Sequence, residues 1–334
     1  MAQLTIQYQN GVFLPNLALW LDPHRAKKGE ERVFVSHAHS DHTALHREVI
    51  LSEPTSQLMR IRIGGRRTEH VMAFGETRAF ARASHTYRLT LLPAGHILGS
   101  AMAWVETAGQ TLLYTGDFKL RPGLSAELCE PRRADILIME TTFGRPNFVF
   151  PPSAQVLQEM IRFCQETLAQ REIPVLLGYS LGKSQEIICG LAAAGLPLML
   201  HGEVRKMAKV YERLGWNLPV CAPYDPTQAA GHVVICPPQA ARTALRERLG
   251  AVRVGIATGW AVDARCRFRY GADAAFPLSD HADFPDLVEM VRRVAPKKVY
   301  TLHGFAVDFA RTLRKLGFEA QALDEDEQLL MEIG

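Results

Sequence analysis

The sequence HAHSDH occupies residues 37–42, where the apolar run ERVFV enters a polar loop. In a strand that turns into a loop, His37 and His39 point the same way, while Asp41 and His42 lie on the following turn. Imidazole and carboxylate groups are ligands for Zn²⁺, Mn²⁺ or Fe, and a carboxylate can bridge two ions. Because buried polar groups need partners, this density is difficult to explain as packing. The stretch therefore predicts a metal site.

Polar groups recur where other apolar runs of the first half end. His96 lies in the loop PAGHILGSA, Asp117 follows the run TLLYTG, and Glu140 ends the run ADILIME. Asp22 ends LWL, and we expect it to accept a hydrogen bond from a ligand histidine and so orient that ring. Taken singly, His96 could be a structural histidine and Asp117 a capping residue. The shared position at strand ends favours one common site, since such loops carry function in sheet proteins.

The pattern changes after residue 148. PSAQVLQEMIRFCQETLAQRE predicts an amphipathic helix, and the apolar runs IPVLLGYS, HVVICPPQ and VRVGIATGW predict buried strands between helices. Strand ends with reactive groups return late in the chain, where PLSDHADF contains His281 and KKVYTLHGF contains His303. This order predicts a first domain that is interrupted by an α/β insertion.

Composition restricts the class of protein. A hydrophobic content of 47% and a charged content of 22% are typical of a globular protein. The six cysteines are scattered and form no CxxC pair, which argues against a disulfide framework or a cysteine zinc site and favours the cytoplasm. We find no secretion signal and no apolar run of about 18 residues, so we expect no membrane partner. Residues 151–270 hold fourteen Lys and Arg against nine Asp and Glu, which indicates either an anionic partner or a solvated basic face.

Two further stretches have a functional and a structural interpretation. GYSLGKS (178–184) has three residues between its glycines where a P-loop has four, so ATP binding is disfavoured. We interpret it as a strand-to-helix turn in which Ser180 and Lys183 contact a nucleic-acid phosphate, or as a helix capped by Ser180. In RCRFRY (265–270), an extended backbone would place three arginines on one face, along a phosphodiester backbone or in solvent: Arg265, Arg267 and Arg269.

The motifs resemble those of a known superfamily. HAHSDH, GHILGS, YTGDF and the strand-end Asp22 resemble the motifs of the metallo-β-lactamase superfamily, and METTFG, SDHAD and LHGF resemble the extra motifs of its β-CASP nucleases. EPRRADILIMETTFG and GYSLGKSQEII are similar to the bacterial ligase-associated DNA exonucleases, relatives of Artemis-like repair nucleases. The resemblance implies an α/β fold, a four-layer αββα sandwich with an inserted α/β β-CASP domain. The parts expected are a core over 1–149, an insertion over 150–272 and the rest of the core over 273–334.

The resemblance also implies the members of the site. One metal ion would be held by His37, His39, His96 and Asp117. A second would be held by Asp41, His42, bridging Asp117 and His303, with both ions most often Zn²⁺ and with Mn²⁺ or Fe as alternatives. The implied catalytic residues are Asp41, Glu140 and His281, with Glu140 orienting His281 beside the scissile phosphate. His303 is often missing from eukaryotic DNA-repair members, so its presence favours two ions and leaves the analogy with RNA-processing members open.

The implied function is that of a metal-dependent phosphodiesterase acting on DNA, a 5′-to-3′ exonuclease in DNA repair that uses a hydroxide activated by two metal ions. His281 would stabilise a non-bridging oxygen or protonate the leaving oxygen. The alternative is a β-CASP ribonuclease in RNA processing or decay. A small-molecule metallo-hydrolase is a third interpretation, against which the insertion, Glu140 and His281 argue. The resemblance further implies a DNA ligase or helicase as a partner.

Overall fold

The computed structural model describes residues 4–82, 85–107, 109–241, 248–263 and 265–323. These residues group into two compact units. Unit 1 lies within Met1–Pro122, Ala126–Phe148 and His281–Gly334, and unit 2 lies within Gly123–Ser125 and Val149–Asp280.

Unit 1 contains two mixed sheets. The first sheet has six strands in chain order: β1 (Gln7–Tyr8), β2 (Val12–Leu14), β3 (Leu19–Leu21), β4 (Arg32–Phe34), β5 (Glu48–Ser52) and β6 (Thr68–Met72). The second sheet has seven strands in the spatial order β19 (Ala320–Ala322), β18 (Lys298–Leu302), β11 (Ile136–Glu140), β10 (Gln110–Tyr114), β9 (Ala101–Thr107), β8 (His85–Pro93) and β7 (Thr77–Arg82). Strands β10, β11 and β18 are parallel neighbours, so their carboxyl ends reach the same edge.

A continuous apolar core lies between the two sheets. Leu21 and Phe34 of the first sheet belong to the same buried cluster as Leu89 and Tyr114 of the second. The opposite face of the second sheet is covered by α7 (Phe284–Val294) and α8 (Ala306–Lys315), while α1 (Glu53–Arg62) packs on β5 and β6. Each fully buried large apolar side chain contributes about 1.5–3 kcal/mol of hydrophobic free energy. Helix, sheet, sheet and helix therefore form the four predicted layers, and the predicted fold class is confirmed.

Unit 2 is built around one parallel sheet. Its spatial order is β14 (Ala222–Pro223), β13 (Leu198–Leu200), β15 (Val233–Cys236), β12 (Ile173–Leu177), β16 (Val252–Ala257) and β17 (Ala274–Phe276). The helices of this unit are α2 (Ser153–Ala169), α3 (Lys183–Ala192), α4 (Gly202–Arg213), α5 (Pro238–Ala241) and α6 (Cys266–Arg269). The central strands are apolar at every position because the sheet is covered on both faces.

Two expectations differ from this structure. We expected the core to resume at residue 273, but β17 still pairs with β16, so unit 2 continues to Asp280. An extended backbone would have placed the arginines of RCRFRY on one face, but residues 266–269 form the short helix α6 instead. The assignment of the units to a catalytic core and an inserted β-CASP domain stays a prediction.

Candidate metal centre and catalytic pair

The HAHSDH loop follows β4 after Val35 and Ser36, at the carboxyl end of a strand of the first sheet. The loop that carries Asp117 approaches it from the second sheet. Gly116 has a φ of 53°, and a Cβ at this position would lie 2.5 Å from the Cβ of Ser36. A glycine is needed in YTGDF because both its backbone conformation and its contact with Ser36 exclude a side chain.

Four predicted ligands converge at this point. One ligand atom from each of His37, His39, His96 and Asp117 lies within 4.8 Å of the other three. His39 Nδ1 is 3.1 Å from Nε2 of both His37 and His96, and an Asp117 carboxylate oxygen is 3.5 Å from His37 Nε2 and 3.8 Å from His96 Nε2. Three imidazole nitrogens and one carboxylate around a common point fit a divalent transition-metal ion.

The other predicted ligands lie beside this cluster. His42 Nε2 is 3.3 Å from the same Asp117 oxygen, Oδ2, that faces His37. Asp41 Oδ2 is 3.8 Å from His42 Nε2, and its side chain is 70% exposed. The ring centroid of His303 is 5.9 Å from that of His42. Asp117 therefore lies between the two predicted ligand sets, which is the position that a bridging carboxylate requires.

Asp22 orients His42 directly and His37 through Ser36, in each case by a contact with Nδ1 of the ring. It follows β3 with a φ of 44°, and its carboxylate accepts hydrogen bonds from the Ser36 backbone N–H at 2.7 Å and the Tyr114 hydroxyl at 3.0 Å. The same carboxylate lies 2.9 Å from His42 Nδ1, and Ser36 Oγ lies 2.9 Å from His37 Nδ1. Because Nδ1 of His42 contacts Asp22, the ring nitrogen that faces Asp117 and would bind a metal ion on losing its proton is Nε2.

The electrostatics of the cluster favour an anion at its centre. Burial of the Asp117 carboxyl opposes ionisation, but the imidazoles of His42, His281 and His37 hold its pKa well below its usual range. Burial is also the main cause of the lowered pKa of His37, which favours the neutral imidazole that a metal ion needs. The site thus offers an ionised carboxylate and at least one neutral imidazole.

Glu140 and His281 form a hydrogen-bonded pair next to this cluster. Glu140 ends β11 and is 1% exposed, and its Oε1 lies 2.9 Å from His281 Nδ1. The same oxygen accepts the Phe118 backbone N–H at 3.1 Å, directly after Asp117. The second oxygen, Oε2, accepts the backbone N–H and the hydroxyl of Thr142. One buried carboxylate therefore contacts both His281 and the residue that follows the central aspartate.

His303 is held by a contact that the sequence did not suggest. It lies directly after β18 in the left-handed region, with a φ of 61°, and its carbonyl accepts the Thr141 hydroxyl at 2.6 Å. On the other side, the ring of His24 stacks on that of His303, with centroids 6.0 Å apart and an interplanar angle of 19°. His24 is not among the predicted site residues. Its position two residues after Asp22 was the available signal.

The residues predicted to contact nucleic acid have different surroundings from those expected. Lys183 is 3% exposed, with its Nζ 2.6 Å from Asp280 Oδ1, and α3 is preceded by Gly182 rather than capped by Ser180. Ser180 instead offers its carbonyl to the Gln185 side chain. The guanidinium of Arg265 pairs with both carboxylate oxygens of Asp263. All three arginines of this segment are exposed, and their contact with nucleic acid stays a prediction: Arg265, Arg267 and Arg269.

Comparison with known proteins agrees with this geometry. The family described as "RMMBL: Zn-dependent metallo-hydrolase RNA specificity domain" matches residues 274–323, the range that holds His281 and His303. The chain is 51% identical over 325 residues to a "Probable DNA ligase" of Opitutus terrae (strain DSM 11246 / JCM 15787 / PB90-1), which covers 97% of the chain and 31% of that relative. It is 31% identical over 193 residues to "5' exonuclease Apollo" of Gallus gallus, which covers 55% of the chain and 41% of that relative.

The chain belongs to the metallo-β-lactamase superfamily, in its β-CASP nuclease branch. The fold of this chain is similar to that of a crystal structure of a protein of unknown function from Enterococcus faecalis V583, with a TM-score of 0.57 and 13% identity over 83% of this chain and 76% of that one. This β-CASP chain spans less than half of the length of either relative named above. Among its described residues, no helix is both long and apolar enough to cross a bilayer.

Proposed function

We propose that this β-CASP chain is a metal-dependent exonuclease that degrades DNA from a 5′ end in repair. The observation that carries the proposal is the pairing of His281 with buried Glu140 beside the Asp117 cluster. A histidine that is oriented by a carboxylate, next to a set of metal ligands, suits phosphodiester hydrolysis, where an acid and a charge-stabilising group act together.

The proposed roles follow from the contacts. His37, His39, His96 and Asp117 would hold one ion, and Asp41, His42, Asp117 and His303 would hold a second, with Zn²⁺ as the ion and Mn²⁺ or Fe as alternatives. Such ions would supply Lewis-acid activation of water and neutralise charge on a phosphate. Asp22 orients His42. Glu140 holds the proton of His281 on Nδ1, so that Nε2 faces the substrate; when protonated, Nε2 can donate to a phosphate or leaving oxygen. The side chain of His281 is 21% exposed, which leaves it accessible to a substrate.

The names of the relatives support DNA as the substrate. One relative is named a probable DNA ligase and another a 5′ exonuclease. The ligase relative is about three times as long as the matched region, which supports a DNA ligase as a functional partner. A helicase partner and a cytoplasmic location stay predictions. The alternative is a ribonuclease, which is favoured by the description of the matched family as an RNA specificity domain.

The test uses matched single strands of DNA and RNA, labelled at either end and incubated with Zn²⁺ or Mn²⁺ or with a chelator. We expect metal-dependent loss of DNA from its 5′ end. Asp117→Asn should lose bound metal and activity together, while His281→Ala should keep the metal and lose about 10²-fold or more in rate. His232→Ala, outside the site, is the matched control and should behave as the wild type.

The result has three informative alternatives. Faster turnover of RNA than of DNA would support the ribonuclease. Hydrolysis of a chromogenic lactam or thioester without cleavage of either polynucleotide would support a small-molecule hydrolase. Unchanged turnover in His281→Ala would remove the role assigned to the catalytic pair.

A further inference from the structure

The parallel sheet of unit 2 has a point at which its connections diverge. From β12 the chain passes through α3 to β13 on one side, whereas from β16 it passes to β17 on the other side. These two strands are adjacent, with Leu177 paired to Ile256. In open parallel sheets, a crevice forms beyond the carboxyl ends of two such strands, because their outgoing connections separate there, and ligands bind in it.

Each of the two strands is followed at this edge by an aromatic residue. Tyr179 lies two positions after the end of β12, and its relative exposure is 57%. Trp260 lies three positions after the end of β16 in a short 3₁₀ helix, and it is partly exposed. Thr258 caps this turn by accepting the Trp260 backbone N–H at 3.4 Å. Two large rings therefore lie at the place where the topology opens a crevice.

The local charge does not favour a phosphate pocket at this point. Lys183, the basic residue of the turn after β12, is buried and paired with Asp280 at 2.6 Å. A ligand at this edge would therefore meet ring surfaces before it met a cationic side chain. The sequence of residues 151–270, which make up most of unit 2, is nevertheless basic, with fourteen Lys and Arg against nine Asp and Glu. A ligand with flat apolar faces and a polyanionic backbone suits both features.

We propose that Tyr179 and Trp260 form a stacking platform for unpaired bases of single-stranded DNA. This inference rests on the proposed nuclease function and adds how the strand is held. Aromatic stacking accepts every base because each has a flat π-face, and removal of one such ring weakens single-strand binding by about 5- to 150-fold. A platform of this kind suits an enzyme that degrades a strand without regard to its sequence.

The test measures binding of fluorescently labelled single-stranded DNA to the full chain in chelator, by anisotropy. Tyr179→Ala and Trp260→Ala should each raise the Kd by about 5- to 150-fold, and Tyr179→Phe should keep the wild-type value because the ring remains. Trp216→Ala is the matched control. Trp216 is a partly exposed aromatic that follows α4, on the way to the amino end of β14, and its removal should leave the Kd unchanged.

An abasic strand of the same length separates stacking from phosphate contact. The alanine variants should bind it as the wild type does, because it has no base to stack. A Kd for normal DNA within twofold of wild type in Tyr179→Ala, or an equal loss on abasic DNA, overturns the inference. If the wild type cleaves no phosphodiester, the proposed function fails. The Kd values of the wild type and the variants for normal and abasic DNA still test the stacking platform in that case.

Discussion

Replacing Glu140 with glutamine tests whether this carboxylate orients the catalytic histidine. Its two oxygens accept four donors, from His281 Nδ1, the Phe118 N–H, the Thr142 N–H and the Thr142 hydroxyl. Glutamine has only one oxygen, so its NH₂ group must face either the Thr142 donors or the Phe118 N–H. One buried donor then loses its acceptor, which costs roughly 1–3 kcal/mol of unfolding free energy.

The catalytic effect follows from the orientation that glutamine adopts. If its NH₂ group faces Phe118, it also faces His281 and favours the tautomer with the proton on Nε2. If its oxygen faces His281, the negative charge that supports a protonated ring is lost. In either orientation we expect the rate of DNA cleavage to fall about 10²- to 10⁴-fold, the range of a general-acid contribution. The metal content should stay unchanged, because Glu140 belongs to neither proposed ligand set.

Three measurements decide the outcome: the unfolding midpoint in urea, the metal content after dialysis, and the cleavage rate under saturating DNA. Thr142→Val is the matched control, since it removes one donor to Glu140 but keeps the charge, and it should reduce stability with a much smaller loss of rate. A wild-type rate in Glu140→Gln would refute the reasoning. Loss of metal together with rate would show instead that Glu140 supports the ligand loop.

Two further predictions concern stability and metal retention. Burial lowers the pKa of His46 to about 4, so its neutral form stabilises the fold above pH 6.5, and roughly 3 kcal/mol is lost as the pH falls from 6.5 through 4. His46→Asn keeps an acceptor for the Lys27 N–H but cannot titrate, so urea unfolding midpoints should fall less steeply over this pH range than in wild type. Thr141→Val removes the donor to the His303 carbonyl and should weaken retention of a second metal equivalent, whereas Thr141→Ser should keep it; equal metal content in both variants after dialysis would contradict this.

Some residues of this site could be predicted from local sequence patterns. The spacing of HAHSDH and the polar residues that end apolar runs are local features of the sequence, and they predicted a metal site at HAHSDH with His96 and Asp117 as candidate ligands. The grouping of His37, His39, His96 and Asp117 into one ligand set came from the motif resemblance, and the structure brings these four side chains together. The pairing of Glu140 with His281 came from motif resemblance, because 141 residues separate the two side chains.

Local patterns were less informative where tertiary contacts decide the outcome. Alternating arginines in RCRFRY suited an extended face, but the segment forms a helical turn. Lys183 was expected near a phosphate, yet Asp280, 97 positions later, buries and pairs it. The ring contact of His24 with His303, which follows β18, was not predicted. The outcomes for Lys183 and His24 depend on a partner that is distant in the chain.

The sequence by itself predicted several of the buried strands, the candidate ligands that follow their ends, and the α/β segment that separates the two groups of motifs. The tertiary structure alone decided that Asp22 contacts Nδ1 of His42 and that Asp117 lies between the two predicted ligand sets. It also decided that Thr141 holds His303 in a left-handed conformation. The physical reason is that strand formation follows from local periodicity, whereas the orientation of a buried polar side chain is set by the partners that folding brings within hydrogen-bonding distance.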